Sequence, residues 1–137
     1  MIGLIKLKFL GRFKDIGLLI IRVGIGIAFM VHGSGKMFNP DRWEQLGSAM
    51  GNFGVTFAPA FWGFMGAFAE FGGGILFILG FFFRPAAAMM AFTMLVAMTM
   101  HITKGDGFSG YSHAMEMGIV FLGLLFVGPG RLSIDGE

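Results

Sequence analysis

The sequence predicts an all-α integral membrane protein: a four-helix antiparallel bundle with a short interfacial helix between spans one and two. Three observations carry that reading. Of 137 residues, 55% are hydrophobic and only 13% are charged, against roughly 25% charged in an average soluble domain. The apolar residues gather into four stretches near bilayer length. The connections between them are short, which makes sequential helices antiparallel neighbours.

Composition also sets limits. The length accommodates one membrane domain covering residues 1–137. The net charge of +2 is small and no basic stripe is interleaved with exposed aromatics, so no nucleic-acid partner is expected. With no cysteine, the chain has no disulfide, thiolate metal site or thiol relay of its own. Redox chemistry would need a bound cofactor or a partner protein.

The chain opens on MIGLIKLKFLGRFKD, a basic segment ahead of an apolar one. No small-residue cleavage site follows, because GSGKMFNP stands there instead, so the apolar segment is read as a retained first span, about residues 16–35. NPDRWEQLGSAM comes next, with Asn39 as a candidate N-cap, Pro40 at the first helical position and Asp41 and Glu44 at the positive end of the dipole. This predicts the interfacial helix, with Trp43 in the aromatic belt.

Span two covers about residues 58–82 and contains one charge, Glu70. Arg84-Pro85 punctuates the chain, since proline suits a helix's first turn, and span three follows over about 85–102. TKGDGFSGYS reads as a glycine-rich polar loop, and span four as about 113–128, with His113 and Glu116 in its first turns. Gly24, Gly26, Gly63, Gly66, Gly73 and Gly74 would allow the close helix approach of membrane bundles. Lys6, Lys8, Arg12, Lys14, Arg84 and Arg131 fall on one side, against Lys36, Arg42 and Lys104 on the other. This asymmetry places both termini in the cytoplasm.

That topology gathers His32, Lys36, His101, His113 and Glu116 in the outer leaflet. His32 with Lys36 and His113 with Glu116 each keep helical spacing and share a face. Glu70 lies near mid-membrane, and helical rise puts Arg22 within about 8 Å of its depth. A charge there costs at least about 2.5 to 3.5 kcal/mol unless paired, neutralised or wetted. An Arg22–Glu70 ion pair is therefore one candidate, whether structural or functional. The glycines at i−7, i−4 and i+3 of Glu70 would bring span one to the same face. End-of-span His and Lys can also simply snorkel to the interface. Met90, Met94 and Met98 leading to His101 could form a thioether ladder, but a Met stripe is ordinary packing material, and no metal site is assigned. Haem is set aside, because the sequence fixes no pair of histidines at matched depth.

HGSGK at 32–36, AEFGGGILFILGFFFRPAA at 69–87 and GPGRLSID at 128–135 together resemble the DoxX family of small bacterial membrane proteins. The resemblance implies a four-helix inner-membrane protein associated with redox systems. Its polar pattern falls on Arg22, His32, Gly33, Lys36, Glu70, Gly73, Arg84, His101, Gly128, Gly130 and Asp135, and less closely on His113 and Glu116. Three functions compete on these residues. The first is a membrane subunit of an oxidoreductase complex that docks a redox protein and binds a quinone or similar apolar carrier through His32, Lys36, Glu70, His101 and Glu116. The others are a small proton- or solute-coupled transporter and a non-catalytic anchor. No catalytic residue is assigned, and self-association is left open.

Overall fold

Continuous apolar sequence and well-placed breakers set the helix limits in the computed structural model, which describes residues 2–137. A short helix α1 (Ile2–Ile5) and a 3-10 segment (Lys8–Phe13) lead into α2 (Lys14–Met37). After a 3-10 turn at Pro40–Arg42 come α3 (Trp43–Gly47), a 3-10 segment (Ser48–Phe53), α4 (Pro59–Leu79), α5 (Phe83–Thr103) and α6 (Gly107–Val127). Four helices are long and apolar enough to cross a membrane, and no strand occurs among the described residues. The large side chains on their outer faces, such as Ile20, Val31, Ile119 and Phe126, are exposed, as a lipid-facing surface requires.

The long helices pack in chain order, α2 on α4, α4 on α5 and α5 on α6. Phe29 of α2 meets Phe121 of α6 edge to face at 5.2 Å and closes the ring. Close approach of α2 and α4 depends on Gly26, Gly33 and Gly74: a Cβ on Gly26 would lie 2.7 Å from the Gly74 carbonyl oxygen, and one on Gly33 would collide with the Phe71 backbone. The glycines that the sequence placed on Glu70's face work differently. Gly63 abuts the Trp43 backbone, Gly73 accommodates Met90, and Gly66, like Gly24, faces open space.

The end of the bundle that holds both termini and the α4–α5 turn is solid. Phe77, Phe83, Phe121 and Met90 are fully buried there, with Phe77 and Phe83 4.6 Å apart. Gly80 ends α4 in the left-handed region (φ 63°), with the Phe81 amide donating to the Leu76 carbonyl. A Cβ at Gly80 would strike Ser133 and approach Arg22, so the turn needs glycine for space as well as for φ. The C-terminal tail folds back on this turn, Ile134 N–H donating to Leu79 O and Asp135 N–H to Gly80 O.

At the opposite, loop end the short helix expected between spans one and two forms as α3, with a 3-10 segment on either side, but Asn39 makes no capping bond. α3 does not rest only at the interface: it packs on the first half of α4, with Gly47 against the Pro59 carbonyl. The α5–α6 connection is also shorter than the polar sequence implied. α6 starts at Gly107, so His113 and Glu116 lie well inside the helix.

Candidate functional site

Lys36, on the last turn of α2, donates from Nζ to both carboxylate oxygens of Glu70, at 3.0 and 3.2 Å. The carboxylate side chain is 6% exposed and the ammonium side chain 32%. Glu70 is thus a buried acid held by a cation that still reaches toward water, which lessens the desolvation penalty of the pair. Trp43 fixes the helix end that carries Lys36: its Nε1–H donates to the Lys36 carbonyl at 3.1 Å, and its ring packs edge-on against Phe64 at 4.9 Å.

The Arg22–Glu70 pair expected from the sequence does not form. Contact of Gly33 with Phe71 sets an antiparallel register that leaves Arg22 about 18 Å of helical rise from the level of Glu70. Arg22 is 1% exposed and is bonded wholly by carbonyls: Nε donates to Phe77 O (3.0 Å), Nη2 to Ile78 O (3.1 Å), and Nη1 to Pro129 O (3.1 Å) and Leu132 O (2.8 Å). Phe77 and Ile78 stand in the last turn of α4, where the dipole favours a cation, and the Phe77 carbonyl also accepts from Gly80 N–H at 3.1 Å. Arg22 therefore caps α4 and pins the tail.

Arg84 and Asp135 serve the same end. Arg84 Nη1 donates to Leu125 O and Phe126 O at the close of α6. The Asp135 carboxylate accepts from Phe82 N–H (3.1 Å) and Phe83 N–H (2.9 Å) at the start of α5. These capping roles were not legible in the sequence; the only signal was the recurrence of Arg84 and GPGRLSID in the family pattern.

A cavity of about 230 Å³ opens beside the ion pair, between α4, α5 and the Leu46–Met50 segment. Lys36 and Glu70 are its charged wall residues, and the rest of the wall is nearly all apolar. It exists because α4 presents small residues there, notably Gly66, whose missing side chain nothing replaces. Its rim includes Met65, Met89 and Phe92, all exposed on the outside of the bundle, so it opens sideways into the lipid-facing surface. Trp62 also lines it, and the Trp62 Nε1–H is buried without an acceptor.

On the other side of the pair lies a second cavity of about 150 Å³, lined by His32, His101 and His113. The His32 and His113 rings are 6.3 Å apart, and His101 Nδ1 lies 2.7 Å from Asp106 Oδ2 at the bundle surface. Four of the five expected ligand-site residues, His32, Lys36, Glu70 and His101, therefore surround one pocket, joined by His113. Glu116 does not join them; it is exposed on the outside of α6. No set of three His, Asp or Glu side chains close enough to hold one metal ion occurs among the described residues. Met90 and Met94 are buried core and Met98 packs against them.

The family model for DoxX matches residues 17–102, a stretch that contains Arg22, His32, Lys36, Glu70 and His101. The chain belongs to the DoxX family. It is similar to "Inner membrane protein YqjF" of Escherichia coli (strain K12), with 32% identity over 127 residues, covering 90% of this chain and 93% of the relative. No solved structure matches it. Among the polar residues that carried the resemblance, this structure separates two sets: Arg22, Arg84 and Asp135 at the solid end, and His32, Lys36, Glu70 and His101 around the cavities.

Proposed function

We propose that this DoxX protein is a multi-pass inner-membrane subunit of a redox system, holding the head group of a quinone or similar apolar electron carrier in the lateral cavity. The observation that carries the reading is an apolar cavity that opens toward lipid and ends on the buried Lys36–Glu70 pair. At about 230 Å³ it is smaller than the roughly 300 to 1,000 Å³ of pockets that enclose a drug-sized ligand. It suits a ring-sized head whose tail stays in the bilayer. The Lys36 ammonium is the charged donor available to a carbonyl oxygen there. Bound there, the carrier would supply the electron chemistry. The chain's own residues would orient it and exclude water.

Inner-membrane location follows the name of the Escherichia coli relative, and the six basic residues at the terminal end favour a cytoplasmic placement of both termini. The loop end, with both cavities, then faces the outer leaflet. Solute passage would require the terminal end to open, but buried aromatics and the four Arg22 bonds fill it. A carrier site is thus favoured over a transport path. Titration of the purified protein in nanodiscs with a short-tailed quinone should quench Trp62 fluorescence saturably, and Gly66→Leu, which fills the cavity, should abolish that component. Quenching that is unsaturable, or unchanged in Gly66→Leu, would overturn the reading.

A further inference from the structure

The two cavities share Lys36, Glu70 and Ala97 as their common wall. The histidine-lined one has room for several waters, given the roughly 30 Å³ that a water occupies in the liquid, and its walls offer polar partners from four helices, α2, α4, α5 and α6. It is open at the bundle surface along His32 and His113, both exposed, and at the His101–Asp106 pair, whose side chains are 35% and 39% exposed. The lateral cavity, by contrast, is apolar and opens among Met65, Met89 and Phe92. A carboxylate has about four acceptor positions. Among the described residues Lys36 Nζ is the only side-chain group bonded to Glu70, so the acid retains acceptor capacity toward both spaces.

We infer that Glu70 is a proton relay between them, charged from the water-facing histidine pocket and discharged to an acceptor in the lipid-facing cavity. The proton reaches the pocket from bulk water past His101 and Asp106. An imidazolium at His32 or His113, or a water it polarises, passes it to the Glu70 carboxylate. Glu70 then gives it to an oxygen of the molecule in the lateral cavity, and the bond to Lys36 is restored. One proton enters and one leaves, and Lys36 keeps its charge throughout. The titratable groups facing Glu70 are Lys36 and His32 from α2, His101 from α5 and His113 from α6, with Asp106 behind His101. α3 and the 3-10 segment after it line the lateral cavity with Leu46, Ala49 and Met50, none of them titratable.

The inference rests on the carrier reading only for the identity of the proton acceptor, so its test uses no carrier. In nanodiscs, the protein is treated separately with dicyclohexylcarbodiimide, a lipophilic reagent for protonated carboxyls, and with a water-soluble carbodiimide. Labels are located by mass spectrometry. Both reagents should reach Glu70. With either reagent the product is read as the N-acylurea on Glu70 or as the amide between Glu70 and Lys36, because the amine lies against the activated acid. Gly66→Leu should slow lipophilic labelling roughly tenfold, on the scale by which local closure protects a group, and leave the aqueous reaction in place. The His32→Leu/His113→Leu variant should do the reverse. Exposed Glu116 should take up the lipophilic reagent in every variant and so report an intact bundle. Labelling of Glu70 by one reagent alone, or rates in both variants equal to wild type, would overturn the relay. If the labelling pattern holds and no quinone binds, the relay stands and the carrier reading falls.

Discussion

Arg22 and Lys36 are the two interior cations of one helix, and they are satisfied in opposite ways. Arg22 is sealed at the solid end by four backbone carbonyls drawn from α4 and the C-terminal tail. Lys36 stands at the hollow end with one carboxylate and a cavity on either side. A planar guanidinium with five donors can join several chain segments at once, and nothing about its bonds can change without opening the fold. An ammonium bonded to one acid and a third exposed can exchange partners at small cost. The difference separates a structural lock from a working site within the same four helices.

Mutations should grade along that contrast. Arg22→Met should have the largest effect, since it strands buried carbonyls at the α4 terminus and in the tail: a loss of about 4 kcal/mol or more in detergent unfolding. Arg22→Lys should recover only part of it, because three donors on a flexible stem cannot reproduce the fork. At the hollow end the two halves of the pair should differ. Lys36→Met leaves the 6%-exposed Glu70 without a partner and should cost about 3 kcal/mol. Glu70→Gln leaves a cation that can turn toward water and should cost only about 1 kcal/mol. Equal losses for those two variants would mean that the ammonium is as sealed as the acid. Glu116→Gln, on the outer face of α6, should stay within about 0.5 kcal/mol of wild type.

Much of this contrast was hidden from the sequence, for identifiable reasons. The four helices were legible because apolar length and the Arg84-Pro85 break are local signals. The clustering of His32, Lys36, His101 and His113 was legible because antiparallel threading sorts residues by depth, whereas that reading placed Glu70 deeper, near mid-membrane. The partner of Glu70 was not legible. It depends on the register set where Gly33 meets the Phe71 backbone, and two long helices can slide by several turns without changing their hydropathy. Arg22's true acceptors were invisible because every residue carries a carbonyl. The lateral cavity was missed for the opposite reason: it is made by a side chain that Gly66 lacks and by the Leu46–Met50 segment folding over it. Glu116 misled because α6 begins at Gly107, and the rotation of that helix turns the acid outward.

The absence of cysteine permits one direct comparison of the two ends on a single helix. Ala87 of α5 is fully buried at the solid end, whereas Ala97 lines both cavities. Each is replaced singly by cysteine and exposed to a water-soluble thiol reagent in nanodiscs, where both faces of the bilayer are open. Ala97→Cys should react readily through the histidine pocket, and Ala87→Cys should remain protected until the protein is unfolded. Equal reactivity, or protection of Ala97→Cys to the same degree as Ala87→Cys, would contradict the division into a sealed end and an accessible one.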